Sequence, residues 1–414
     1  MTTKTVALAG ALDTKGEAFA FVRERLTAAG LHVITLDFGV MGAPRFSPDV
    51  PRAEIASAGG GDLAHLADGT RKDEAMRVMA EGLAVVVRRL YDAGDLDGML
   101  SMGGGGGTSI AARAMRGLPV GVPKLLVSTM VGDISPFVGL KDITFMPSVV
   151  DVAGLNRISR RIYANAADAL IGMMRGAPVS MDDARPIITA SMFGNTTPGV
   201  TEAARILEAA GYEVLVFHAT GTGGRAMEAL IADGYAVGCL DFTPTEIADS
   251  ACGGILDAGP DRLLAAPRAG IPTVLVPGCV DMANFGAIAT VPERYRGRQL
   301  YQWNADVTLL RTNVEENRMM GARLADAANR APAGTVAVLL PLGGVSMLDS
   351  RGGAFWDPEA DAACFDALRA GLRADVPCIV YDANINDPAF ARAAAETLLD
   401  LIARKDAAHH ADRP

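Results

Sequence analysis

The chain has 414 residues, half of them hydrophobic, with 46 Gly, 22 Pro and few aromatics. That is long enough for two domains with buried cores and excludes a disordered chain. The formal net charge is -10 and no Lys/Arg run forms a continuous stripe, which excludes nucleic acid as the main ligand and requires any bound anion to be held locally.

The first apolar run, in MTTKTVALAGALDTKGE, meets Asp13 and Lys15 at once, so it fits neither a signal peptide nor a membrane span and predicts a cytoplasmic protein. It reads as a strand, followed by a helix around EAFAFVRERLTAAG, which Gly30 closes, and a second strand, LHVITLD. Thr14 stands where a helix cap belongs, and Lys15 can meet a phosphate as a point charge; an ordinary helix start with a solvated Lys fits this segment equally well. Residues 40–75 are polar and Gly-rich and predict a mobile surface loop or lid ahead of the helix AMRVMAEGLAVVVRRLYDAG.

A third strand, DGMLSM, runs into five consecutive glycines, Gly103, Gly104, Gly105, Gly106 and Gly107, and then a helix opening at Thr108 and Ser109. Such a stretch can take positive φ and approach a ligand without Cβ hindrance, while Thr108 and Ser109 cap a helix whose free N–H groups face an anion. Phosphate cradling is the expectation, with a tight or flexible turn as the bland alternative. No Gly-Lys-Ser/Thr follows, so this is not a P-loop. After the strand VPKLLVSTM come Thr129 and Asp133, the latter placed to hold Mg²⁺ through water. The apolar stretch PFVGLKDITFMPSVVDVAGL (136–155) exceeds what one half-buried strand needs; it predicts a homo-oligomer, most simply a dimer, or packing between halves of one chain.

After a helix, NRISRRIYANAADALIGMMRG, and a link near 175–185, the pattern restarts. PIITASMFG, a helix closed by Gly211, and YEVLVFHA repeat strand, helix, strand, and VGCLDF and IPTVLVPGCV match the later strands of the first half. Two further strands fall in 335–348 and 376–382, and a closing helix in 387–404. The expected fold is α/β, two Rossmann-like open parallel-sheet domains of related topology over 1–180 and 181–405, with a frayed tail at 406–414.

Candidate ligand groups gather at the strand ends of the second half, where open parallel sheets bind ligands. Gly221, Gly223 and Gly224 open a helix with Arg225 in its first turn, a cation against the helix dipole that a carboxylate or phosphate ligand would explain. Glu246, Cys279 and Asp281 stand at neighbouring strand ends as further substrate contacts, and Arg225, His218 and Asp241 are the catalytic candidates. Cys279 has no basic partner at a recognisable spacing, and the five cysteines form no CxxC pair.

SMGGGGGTSIA, DITFMPSVVDVAGLNRI, FHATGTGGRAMEALI and VPGCVDMANFGA together resemble the Tm-one-like ATP-binding domain family over nearly the whole chain. The resemblance implies two Rossmann-like subdomains, ATP with Mg²⁺ on the first, and self-association. It puts Thr14, Lys15, the loop from Gly103 to Thr108, and the turn from Thr129 to Asp133 on the nucleotide side. The expected function is therefore an ATP-dependent enzyme acting on a small anionic metabolite in the cleft between the domains, by phosphoryl transfer, nucleotidyl transfer or ligation. The alternatives are a non-catalytic, ATP-gated binding or regulatory module and a nucleotide-independent hydrolase using Cys279 or Asp241.

Overall fold

A computed structural model describes residues 3–67, 71–176 and 184–411. The chain divides into two compact units, Met1–Ser180 and Met181–Pro414. The expected link at 175–185 falls largely on 177–183, outside the described residues.

The first unit runs β1 (Thr5–Gly10), α1 (Leu12–Ala28), β2 (His32–Asp37), α2 (Arg52–Ala58), α3 (Leu63–Leu66), α4 (Lys72–Asp92), β3 (Gly98–Gly103), α5 (Gly105–Arg116), β4 (Lys124–Ser128), α6 (Ser135–Val138), β5 (Thr144–Pro147) and α7 (Arg157–Arg175). Its strands form one parallel sheet in the order β2-β1-β3-β4-β5. Both faces are covered, which is why β1 and β3 are mostly apolar, with the Ser101 hydroxyl of β3 donating to the Ala9 carbonyl. Along β1, Val6 and Leu8 pack with α1 and α7, whereas Ala7 and Ala9 pack with α2, α4 and α5.

The segment 40–75 corrects the expectation of a mobile loop: among its described residues it carries α2 and α3, with Ile55, Ala56 and Leu66 in the core. Gly59 and Gly82 let α2 and α4 meet backbone to backbone, because a Cβ on Gly59 would overlap the Val78 carbonyl and one on Gly82 the Ile55 carbonyl.

The second unit runs β6 (Ile187–Met192), α8 (Thr197–Ala209), β7 (Glu213–His218), α9 (Thr222–Ala232), β8 (Ala236–Asp241), α10 (Glu246–Cys252), α11 (Ala265–Ala269), β9 (Thr273–Leu275), β10 (Met282–Phe285), β11 (Leu300–Gln302), β12 (Thr308–Arg311), α12 (Val314–Asn329), β13 (Val336–Pro341), α13 (Pro358–Gly371), β14 (Cys378–Tyr381) and α14 (Pro388–Ala411). Its main sheet, β7-β6-β8-β9-β13-β14, is parallel and repeats the first unit's order with one strand added. The two domains are thus Rossmann-like and of related topology, as expected. Matched helix ends show the repeat locally: Gly30 (φ +85) and Gly211 (φ +97) each follow the last turn, and Leu31 and Tyr212 donate back to Leu26 and Leu207.

Two features go beyond the sequence reading. A small antiparallel sheet, β10-β12-β11, is inserted between β9 and α12. The closing helix α14 continues past 404 to Ala411, into residues expected to fray. None of the described helices is long and apolar enough to cross a membrane.

Candidate functional site

In the first sheet the chain reverses its winding between the neighbouring strands β1 and β3, so their C-terminal ends open a crevice of the kind that holds ligands in open α/β sheets. A cavity of about 410 Å³ lies there. The turn after β1 supplies Asp13, Thr14 and Lys15, the segment after β2 supplies Phe38 to Met41, and α5 supplies Gly106, Gly107 and Ile110. Helix α4 adds Lys72, Ala75, Met76 and Met79, an i, i+3, i+4, i+7 set on one face. The lining is an apolar wall of Phe38, Met76, Met79, Met102 and Ile110 with two ammonium groups, Lys15 and Lys72, among its few polar members.

The glycines act differently from the expectation. None of Gly103, Gly104, Gly105, Gly106 and Gly107 has positive φ: Gly103 ends β3, Gly104 is the N-cap of α5, and the other three form its first turn. They are small instead. A Cβ on Gly103 would lie 3.0 Å from the Gly107 Cα, and one on Gly106 would lie 3.2 Å from the Met76 Sδ beside the cavity. Thr108 and Ser109 do not cap this helix. The Thr108 hydroxyl is fully buried against that of Ser128, 2.6 Å away, and the Ser109 hydroxyl donates to the Gly105 carbonyl (3.0 Å). Among the described residues no side chain caps α5, so the N–H groups of its glycine turn remain open to a ligand.

Neighbouring residues are held by local bonds. Thr14 is exposed in the first turn of α1, not its cap; the Leu12 N–H at that helix start donates to Asp37 Oδ1 (3.0 Å). Lys15 Nζ donates to the Val152 carbonyl (2.6 Å), leaving two of its three N–H groups. Asp37, wholly buried at the end of β2, binds Arg52 at 2.9 Å, and Asp13 accepts from the Met41 and Gly42 N–H groups. This lock between the β1 and β2 ends, with Phe38, Lys72 and the α4 methionines, was missed from the sequence; the α4 periodicity is the signal that points to it.

Thr129 follows β4 and lies beside Gly104. Asp133 is exposed, accepts the Ser135 N–H (2.9 Å), and is held below the usual carboxylate range by its hydrogen bonds to Ser135. Among the described residues no group of three His, Cys, Asp or Glu side chains is arranged to hold a metal.

In the second unit the predicted ligand groups satisfy one another. Glu246 Oε1 accepts from the N–H groups of Gly221 (2.8 Å) and Gly224 (3.0 Å), so the chain's own carboxylate occupies the N-terminus of α9. A Cβ on Gly224 would overlap that carboxylate, and one on Gly223 would overlap the His218 carbonyl; the glycines are packing requirements. Arg262, which the sequence reading missed, binds Glu246 (2.6 Å), Asp241 (2.7 Å) and Glu228 (3.1 Å) with its side chain 1% exposed. Burial opposes the Arg262 charge, but the carboxylates of Asp241, Glu246 and Glu228 more than offset it and raise its pKa. Asp241 also accepts from the Ser191 hydroxyl (2.7 Å), so it is a structural ion-pair partner and not a free base. Beside this network a void of about 20 Å³ has room for about one water.

The remaining candidates do not join into a site. Arg225 is exposed on α9 with its guanidinium unpaired among the described residues, and His218 is exposed at the end of β7 with its ring against Phe193. Cys279 is buried at φ +53, and burial together with Asp281 and Asp349 drives its thiol pKa well up, which removes it as a nucleophile. Asp281 is wholly buried, accepts from the Ser346 hydroxyl (2.9 Å), and belongs with Asp349 and Asp361 to a cluster around one guanidinium, Arg311. Burial pushes Asp281 up to about 7 and Asp361 up to about 8.

The chain matches "Uncharacterised protein family (UPF0261) N-terminal domain" over residues 4–178 and the C-terminal domain of the same family over 185–402. It is 47% identical over 401 residues to a UPF0261 protein of Clostridium tetani, covering 96% of this chain and 99% of that one. It is 38% identical over 335 residues to the ToMV resistance protein Tm-1 of Solanum lycopersicum, covering 79% of this chain and 44% of the tomato protein, which bears out the family resemblance seen in the motifs. Among solved structures, UDP-N-acetylglucosamine 2-epimerase from Rickettsia bellii aligns at 11% identity over 66% of this chain and 79% of that one with a TM-score of 0.23, too low to carry an argument. With both halves matched in order and a full-length relative at nearly half identity, the chain belongs to the UPF0261 family.

Proposed function

We propose that the first unit binds ATP, with its phosphates on the N-terminus of α5 and its base against the apolar wall of the β1/β3 cavity. The observation that carries this reading is the uncapped glycine turn of α5, whose last two glycines line a cavity large enough for a nucleoside. Lys15 and Lys72 add positive charge to the same cavity. Magnesium enters this reading as the nucleotide's own counter-ion, with the exposed Asp133 as the candidate to hold it through water.

Phosphoryl transfer, nucleotidyl transfer and ligation on a small anionic metabolite all begin from this complex, as does a non-catalytic, ATP-gated module. The self-satisfied network around Glu246 and Arg262 speaks against the second-unit glycines as the metabolite's site. The same reading keeps a cytoplasmic protein and a homodimer: β5 is an edge strand, and Leu140 and Val149 in its flanking segments are exposed. Thermal melts with Mg-ATP, followed by ADP assays against phosphorylated and carboxylated metabolites, test it. Stabilisation by ATP with ADP formed from one metabolite class is the expected result. Stabilisation with no ADP selects the module, and no stabilisation at millimolar ATP refutes the reading.

A further inference from the structure

The segment between β13 and α13 crosses the C-terminal strand ends of the second unit's main sheet, the place where open parallel sheets take ligands. The Cys279 N–H after β9 donates to the Val345 carbonyl (2.9 Å), and the Met347 N–H donates to the Asn195 carbonyl after β6 (3.0 Å). Phe355, 1% exposed, plugs the segment into a small cluster with Cys279, Met282 and Leu309. Met347, Arg351 and Ala354 stay on the surface, so 345–357 covers the strand ends with its outer face in solvent.

A charged cluster ties this cover down. Arg311, at the end of β12, donates Nε to the Phe355 carbonyl (2.7 Å), and Nη2 to the Asp357 carbonyl (3.2 Å) and to Asp361 of α13 (2.8 Å). Its Nη1 serves Thr312, so among the described hydrogen bonds of Arg311 only one reaches a carboxylate. Yet three buried carboxyl groups surround it, those of Asp281, Asp349 and Asp361. With all three ionised, two negative charges would be buried without a counter-charge, a state that is relieved by taking up protons. The hydrogen bonds give the same count. Asp281 Oδ2 accepts from the Ser346 hydroxyl (2.9 Å) and Asp349 Oδ2 from the Val345 N–H (2.9 Å), while Oδ1 of each is buried with no donor among the described residues. Two donorless oxygens are two places for a proton, and two protons bring the cluster to neutrality. Asp349 and Asp361 also hydrogen-bond to each other, which requires a proton on one of them. The other titratable groups nearby are occupied or neutral. Asp357 accepts the Ala360 N–H (3.1 Å), Glu316 of α12 is paired with Arg298 (2.6 Å), and burial beside these carboxylates keeps the Cys279 and Cys364 thiols protonated.

We propose that 345–357 is a proton-latched lid: protons held among Asp281, Asp349 and Asp361 leave Arg311 on the lid's carbonyls, and their loss turns Arg311 to the carboxylates and frees the lid. The inference concerns the second unit and is independent of nucleotide binding by the first. Its direction follows from linkage. Burial, with Asp349 close to both, raises Asp281 to about 7 and Asp361 to about 8, whereas an open lid returns them toward the ordinary 3.8. The closed lid thus binds protons that the open lid gives up, so the latch is strongest at acid pH and is lost as pH rises through those two values.

Hydrogen exchange on the full chain at pH 5.5 and 8.5, corrected for the intrinsic effect of pH on exchange, reads the lid, and infrared spectroscopy reads the carboxyl protons. The amides of 345–357 are expected to lose protection at least about tenfold at the higher pH while those of β6 and β8 stay protected, and a carbonyl band of protonated carboxyl groups should fade over the same range. Asp361→Asn, whose carboxamide stands in for the protonated acid, should weaken that band and hold the lid's protection to within about twofold across the range. If that variant folds poorly, the wild-type chain still decides. Absence of the carboxyl band at pH 5.5, equal lid protection at both pH values, or a loss that runs equally through β6 and β8 overturns the inference. So does a folded Asp361→Asn chain whose lid opens as the wild type's does.

Discussion

Helices α5 and α9 open alike in the sequence, each on a glycine cluster that follows a strand, yet the two N-termini are put to opposite uses. At α5 no side chain among the described residues bonds to the free N–H groups, and a cavity of about 410 Å³ lies beside them. At α9 the Glu246 carboxylate accepts from two of them, Arg262 pins that carboxylate, and the void beside the network measures about 20 Å³. At α9 the helix end holds an anion that is part of the chain; at α5 the end is open, and a phosphate is what we propose for it. Whether such an end is free depends on a carboxylate more than twenty residues away, so the local motif cannot decide it.

Breaking the filled end should have the largest effect. Arg262→Met removes the cation from three buried carboxylates and is expected to destabilise the second unit by about 3–5 kcal/mol, read as a lower denaturant midpoint, with ATP affinity of the folded fraction unchanged. A loss below about 1 kcal/mol would mean that the network is not the filler described here.

Acidity should separate the units next. Asp281 and Asp361 have folded pKa values, about 7 and about 8, above the ordinary 3.8 of an unfolded Asp, so the folded state holds protons that the unfolded state releases. Their stabilising contribution is complete below pH 4 and is lost as pH rises toward 8. Melts at pH 5.5 and 8.5 should show the second unit less stable at the higher pH, and Asp361→Asn should flatten that dependence. Equal slopes in wild type and variant would place the protons elsewhere. Smallest of all, Arg225→Ala should change stability by less than about 0.5 kcal/mol and leave ATP affinity alone, since its side chain is exposed and unpaired.

The strands and the repeated organisation of the two halves were readable because parallel strands buried on both faces are short aliphatic runs, and because Gly30 and Gly211 mark matching helix ends. The sheet β10-β12-β11 was not: its strands are three or four residues long, and β12, Thr308–Arg311, is wholly buried and shows no alternation. Lys15, Gly106 and Gly107, which line the cavity, were picked by strand-end position and by the family resemblance. Asp241, Glu246 and Asp281 were picked on the same rule and proved to be structural, because their partners, Arg262 and Arg311, are remote in sequence and carry no motif. Phe38 and the α4 methionines flank the segment expected to be a loop, and nothing local marked these apolar side chains as cavity lining and not core.

Nucleotide binding by the first unit requires the α5 end to hold phosphate. Calorimetric titration of Mg-ATP into the wild-type chain and into a Gly105→Val, Gly106→Val variant tests that directly, since the added side chains would cover the N–H groups that no cap now shields. Binding by the wild type, weakened at least about tenfold in a variant whose circular dichroism is unchanged, is the predicted result. Equal affinity in a folded variant would contradict it.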